Sequence, residues 1–371
     1  MFLKKTAIAL AAILATAGTA RAETVPVLVP ITGFLSLEGT AQRNGAVMAI
    51  DTLGDAAGLS TEVTDTGTSP EGAVTALRRA LAGEPSAAIA SMLGTQMLAM
   101  IPIADRAGVP LLTVSGTAKI TELGSENVFR FFPGDSVVKV AQARYAVEEL
   151  GAKRPALLYQ TTAYGQSGAA HLKRILADLG APLVFEEGID ISVKDMLPVL
   201  TRMQADEPDM LLLHLHSGST ALVIRQARDS GNTIPVVAGS AMHQPTTAAL
   251  LEPAQLKGVC AESASSPISE TAGPVADFTA AYRKRFGSEP DAFALAQYDG
   301  AAMLVAARSS GATNAAEVRD WLASNSFDGL AMTYKSDGKG NMAHDAVVVC
   351  YDGESRVPSI ARRYGNVDGV N

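Results

Sequence analysis

From Thr24 onward, short apolar runs rich in β-branched residues alternate with longer segments in which apolar residues return every three or four positions. The runs at 24–30, 59–65, 86–90 and 109–114 predict strands, and the segments 38–53, 70–81 and 95–107 predict helices. Ala41, Ala46, Val47, Ala49 and Ile50 fall on one side of the first helix. Ser69 and Pro70 stand in the order of a cap and a first-turn proline for the second. Another series follows Phe129-Arg130-Phe131-Phe132-Pro133-Gly134, with helices predicted at 137–150, 166–179, 193–205 and 220–230. Its strands are predicted at 155–159, 183–187, 209–215 and 234–238. Gly151, Gly180, Pro182, Pro208, Gly231 and Pro235 punctuate the joints. Helices at 273–286, 293–309 and 315–323 lead into a β-rich tail, where 334–341 reads as a hairpin turn. Alternation of this kind predicts an α/β fold of two units, each a parallel sheet with helices on both faces.

A chain of 371 residues suits two such units. Hydrophobic residues at 47% against charged residues at 18% exclude a disordered chain or a coiled coil. The net charge of −8, from 30 Lys+Arg and 38 Asp+Glu, lacks the basic footprint that displaces counterions from nucleic acid, so no nucleic-acid partner is expected. The N-terminus reads as an export signal: Lys4 and Lys5 precede an apolar stretch at 7–17, and Ala20-Arg21-Ala22 puts small residues at both cleavage positions. Cleavage is expected after Ala22, and no Cys follows to carry a lipid anchor. It would remove three positive charges and no acid, leaving the mature chain more acidic. No later segment is long and apolar enough to span a bilayer, so a soluble periplasmic protein, not membrane-embedded, is expected. Cys260 and Cys350 lie in short β-like runs, and a disulfide or two buried thiols fit the sequence equally.

Ligands of open α/β sheets sit beyond the carboxyl ends of strands, which directs attention to 31–39, 91–95, 115–119, 160–165, 216–220 and 239–244. These segments carry hydroxyls, small residues, a Tyr, a Glu and His, a set suited to a polar small-molecule cleft. Three enzyme-like matches fail on context. Ser136 and Lys139 lack the companion motifs of Ser-x-x-Lys acyltransferases, and Gly165-Gln166-Ser167-Gly168 misses the nucleophile elbow by one position. The glycines from Gly338 lie in the β-rich tail instead of a strand-to-helix turn. His214 and His216 share one strand face, with His243 a conceivable third ligand, yet no Cys, Asp or Glu stands at ligand spacing. No metal, cofactor or catalytic residue is expected.

The residues resemble the type I periplasmic solute-binding proteins of branched-chain amino-acid ABC transporters, the leucine/isoleucine/valine-binding group. Val27 to Gly33 with Gly39 and Asn44 to Asp51 is similar to that family's first strand, Thr-Gly turn and helix. Asp65 with Ser69-Pro70-Glu71 continues the likeness. The most specific stretch runs from Ile101 through Gly108-Val109-Pro110 to Ser115-Gly116-Thr117. Phe129-Arg130, Tyr164-Gly165, Arg225 to Gly231 and Tyr298-Asp299 follow in order.

The resemblance implies two Rossmann-like lobes joined by three crossovers, near 131–135, 260–265 and 326–330. Lobe 1 would hold 23–131 and 264–327, and lobe 2 would hold 132–263 and 328–371. It also implies a monomeric subunit that carries a small molecule to an ABC transporter permease and catalyses nothing. A ligand sensor on the same fold is the alternative, and an exported hydrolase a remote third. Gly94, Thr95, Ser115, Gly116 and Thr117 match positions that hold the solute's carboxylate, although Ser115 and Thr117 also suit helix caps. Tyr164 and His216 would face the solute from lobe 2. The family's acid for the solute ammonium is missing from Gly239-Ser240-Ala241-Met242-His243. Glu38 could replace it from lobe 1, or could simply stabilise the first helix turn. The default solute is a branched-chain amino acid, within a wider class of carboxylate or amide metabolites.

Overall fold

The structure is a computed structural model that describes residues 22–370. The expected export signal lies almost wholly outside them. The first half alternates as β1 (Glu23–Val29), α1 (Ser36–Leu53), β2 (Leu59–Asp65), α2 (Pro70–Leu81), β3 (Ala88–Ala90), α3 (Gly94–Ala107), β4 (Leu111–Thr113), α4 (Lys119–Glu122) and β5 (Val128–Arg130). These strands form an all-parallel sheet of order β2-β1-β3-β4-β5. The Ser69 hydroxyl accepts the Gly72 N–H at 3.0 Å with Pro70 in the first turn, so the cap read from the sequence forms as expected.

The second series runs α5 (Asp135–Arg144), β6 (Pro155–Gln160), α6 (Ala163–Asp178), β7 (Phe185–Ile189), α7 (Leu197–Ala205), β8 (Met210–His214), α8 (Ser217–Asp229), β9 (Val236–Ala238), α9 (Pro245–Ala248) and β10 (Val259–Ser263). Then come α10 (Pro274–Phe286), α11 (Ala292–Ser309), α12 (Ala315–Ser324), β11 (Phe327–Asp328), β12 (Thr333–Tyr334), β13 (Ala346–Cys350) and β14 (Ser359–Tyr364). The second sheet has order β14-β13-β10-β9-β8-β6-β7, parallel except where β13 and β14 join antiparallel. Strands β3, β4, β8, β9 and β10 are buried along their whole length, as sheets covered on both faces require.

The helices predicted from 166 and 220 each begin three residues earlier, at Ala163 and Ser217, and two boundaries differ further from the periodicity. The helix predicted over 193–205 begins at Leu197, because Pro198 has no N–H and belongs in a first turn, and Asp195 accepts the Leu197 N–H. The helix predicted to reach 150 leaves α geometry after Arg144 and continues as a wider π turn over Tyr145–Glu149. β5 and α4 carried no signal long enough to read.

Although α11 lies far along the chain, it packs on α1. Gly45 makes this possible, since a Cβ there would sit 2.0 Å from the Ala294 carbonyl oxygen. Gln42 of α1 donates to the Ala90 carbonyl and to Gln297 of α11, both at 2.8 Å, and Asn44 donates to the Tyr282 hydroxyl of α10. In the second sheet Cys260 and Cys350 are directly paired across β10 and β13 and form a disulfide.

Candidate ligand-binding cleft

The carboxyl ends of the two sheets face each other across a small cavity of about 30 Å³. Leu35, Glu38, Met92, Leu93, Val114, Gly116 and Phe293 line it from the first-sheet side, and Tyr164, His216, Ala241 and Gln244 from the second. The loops after β1, β3 and β4 therefore meet the loops and helix starts after β6, β8 and β9.

Contacts bridge the gap. Glu38 in the first turn of α1 is 2% exposed, and its Oε1 accepts the Ser217 backbone N–H at 3.3 Å and the Ser217 hydroxyl. Ser217 opens α8, so a carboxylate from one side meets the N-terminus of a helix from the other. The ring of Phe34 lies 5.3 Å from that of His216, and Ala118 donates its N–H to Ser167 of α6 at 2.9 Å.

Tyr164 follows the Thr162 cap of α6, whose hydroxyl accepts the Gly165 N–H. Its ring stacks on His216 at 5.3 Å and leans on His214 at 3.9 Å. His216 bonds Thr162 Oγ1 at 3.1 Å, and burial pushes its pKa down to about 4, so it is neutral near pH 7. Burial also drives His214 well below the usual imidazole range and Tyr164 well above the phenol range. Glu38 is raised by burial, an effect that its bonds to Ser217 oppose.

Of the residues singled out in the sequence, Glu38, Gly116, Tyr164 and His216 line the cavity. Gly94, Thr95, Ser115 and Thr117 stand beside its wall without lining it. Thr117 packs on Gly94 so closely that a Cβ at Gly94 would lie 2.0 Å from Thr117 Oγ1. The hydroxyls of Ser115 and Thr117 are buried and have no partner, as are Glu38 Oε2 and Gln244 Nε2. Buried polar atoms in native proteins are nearly all bonded, so this group marks a place where a partner is to be received. His243 is turned away from the cavity wall, between Ser263 at 3.1 Å and Ser266 at 2.8 Å. Among the described residues no cluster of His, Cys, Asp and Glu is arranged to hold a metal ion.

The acyltransferase-like pair is absorbed into packing: Lys139 is fully buried and ion-paired with Glu262 at 2.6 Å, while Ser136 is exposed. Glu262 also accepts the N–H and hydroxyl of Ser240. In the sequence Arg130 stands out only as part of the Phe129-Arg130 motif. Its buried guanidinium donates to the carbonyls of Ser115, Gly116 and Thr117 at 3.4, 3.3 and 2.9 Å, and so fixes the loop after β4.

A family model described as periplasmic binding protein matches residues 24–355. The chain belongs to the periplasmic binding protein family. This agrees with the family resemblance seen in the residues. The amino acid binding protein of Pseudomonas aeruginosa is 26% identical over 344 residues, covering 88% of this chain and 89% of that protein. In fold this binding protein is similar to a leucine-binding protein from Thermotoga maritima, with a TM-score of 0.84 at 23% identity, covering 93% of this chain and 99% of the other. It is equally similar to a solute-binding protein from R. palustris solved with benzoate, with a TM-score of 0.84 at 18% identity, covering 93% and 97%. The two-lobed α/β architecture is thus that of the type I solute-binding proteins. Among the described residues no helix is long and apolar enough to cross a membrane.

Proposed function

We propose that this chain is the periplasmic solute-binding subunit of an ABC importer, capturing a small amino-acid-like, carboxylate or amide metabolite between its lobes and presenting it to a permease. The observation that carries the reading is the cavity whose walls come from both sheets and hold the unpartnered Glu38 Oε2 and Gln244 Nε2, with the unpartnered hydroxyls of Ser115 and Thr117 beside them. A solute touching both walls favours the closed form, and that difference in affinity is what a permease can read. Family membership supports the importer role, and the ligands of similar proteins, amino acids and benzoate, bracket the chemistry. Within this reading Gly94, Thr95, Ser115, Gly116 and Thr117 hold the solute from lobe 1, with Glu38, and Tyr164 and His216 hold it from lobe 2. The lobes comprise 23–131 with 264–327, and 132–263 with 328–371. The subunit works as a monomer, and no step of the reading requires catalysis.

A thermal-shift screen against amino acids, aromatic and aliphatic acids, amides and polyamines tests it. A solute at 100 times its Kd stabilises by about 2.7 kcal/mol, enough to raise the midpoint by several degrees. Failure of every class to do so would overturn the reading.

A further inference from the structure

Among the residues lining the cavity, Glu38 is the one acid, and none is Lys or Arg. Its two oxygens are in unlike states. Oε1 is held by Ser217, at the start of a 13-residue helix whose N-terminus favours negative charge. Oε2 is buried with no partner. A buried carboxylate without a counter-charge is unfavourable by several kcal/mol, so a fold that bonds one oxygen of a cavity-lining carboxylate and leaves the other buried and unpartnered is built for a donor that arrives later.

The surroundings offer no cationic donor. The uncharged donors on the same cavity are the amide of Gln244, whose Nε2 is without a partner, and the hydroxyl of Tyr164. His216 is neutral near pH 7, and Asp291 is a second acid, whose carboxyl burial and the charge of Glu38 push up to about 7. Across the cavity the segment from Gly239 to His243 contains no acid, and the polar groups of Ser240 are engaged with Glu262. Leu35, Met92, Leu93, Val114 and Phe293 make the rest of the near wall apolar.

We propose that Glu38 receives a protonated nitrogen of the solute, an ammonium or amidinium attached to an apolar body, and that this nitrogen is required for tight binding. The proposal rests on the solute-binding reading above and narrows it: the cation is recognised from lobe 1, and a carboxylate alone does not suffice.

Matched pairs test it by calorimetry: leucine against 4-methylpentanoate, and benzylamine against benzoate, each with the wild-type protein and with Glu38→Gln. Gln keeps an acceptor for Ser217 and replaces the charged second oxygen with a neutral amide donor, which a protonated nitrogen cannot use. The expected result is an amine at least tenfold tighter than its deaminated or carboxylate partner, with that advantage lost in Glu38→Gln. The ligand-free melting midpoint of Glu38→Gln, read in parallel, should stay within a few degrees of wild type, and Glu38→Asp should retain part of the preference. Equal or tighter binding of the carboxylate members, or hits across the wider screen that all lack a protonated nitrogen, would overturn the assignment to Glu38 while leaving the solute-binding reading intact. Absence of binding by every class would overturn both.

Discussion

Glu38 accepts both the backbone N–H and the hydroxyl of Ser217, so the first turn of α1 is fastened to the first turn of α8 across the cleft. The contact exists only when the two sheets approach, and every bond confined to the closed form adds to the free energy of closure.

Ser217→Ala removes one of the two donors and leaves the backbone N–H in place. Hydrogen bonds to charged groups contribute about 1.5–3 kcal/mol, so affinity should fall roughly tenfold or more. Ser217 does not line the cavity, but its hydroxyl helps to keep Glu38 charged, so the loss should be larger for amine solutes than for solutes without a protonated nitrogen. Calorimetry across several solutes measures this, and a loss equal for every solute would mean that Ser217 acts on closure alone.

Thr117 carries a buried hydroxyl without a partner. Thr117→Val keeps the branched shape and removes the polar atom, which relieves a site that costs about 1–3 kcal/mol when unsatisfied. The ligand-free protein should melt at the same temperature or a few degrees higher, while affinity falls about tenfold. Scanning calorimetry with and without solute separates the two effects, and unchanged affinity would remove Thr117 from the site.

Asp291 caps α11 by accepting the Ala294 N–H at 2.8 Å, and burial followed by the charge of Glu38 pushes its pKa up to about 7. A folded-state pKa raised above the unfolded value near 3.9 means that its stability contribution is complete below about pH 4 and lost as pH rises through about 7. Asn keeps the cap and does not titrate. The stability of Asp291→Asn relative to wild type should therefore climb between pH 4 and 7, on the order of a few kcal/mol, and level off above. His216 and His243, both pushed down to about 4, contribute the opposite trend in both proteins and cancel in the difference. Urea titrations at pH 5 and pH 8 provide the comparison.

The alternation of strand and helix was legible because fully buried parallel strands and capped helices leave local marks, as at Ser69-Pro70. The loops after the strands were legible for the same reason, and with them Gly116, Tyr164 and His216. The apolar wall was not. Leu35, Met92, Leu93, Val114 and Phe293 look like ordinary core residues until two distant segments meet. Ser217 and Gln244 belong to the same class, since their importance comes from what faces them across the cleft. Cys260 and Cys350 carried the right chemistry, but only the antiparallel register of β13 on β10 made them partners.

Arg130 has a consequence for how charge reaches the cleft. It draws three successive carbonyl oxygens, of Ser115, Gly116 and Thr117, to one guanidinium. Because each peptide unit is planar and trans, the N–H groups of Gly116, Thr117 and Ala118 point the other way. That of Ala118 reaches Ser167 on the opposite lobe. A cation sealed behind the loop is thereby relayed forward as a row of aligned peptide dipoles, and the loop can attract an oxygen-bearing group without any basic side chain touching the solute.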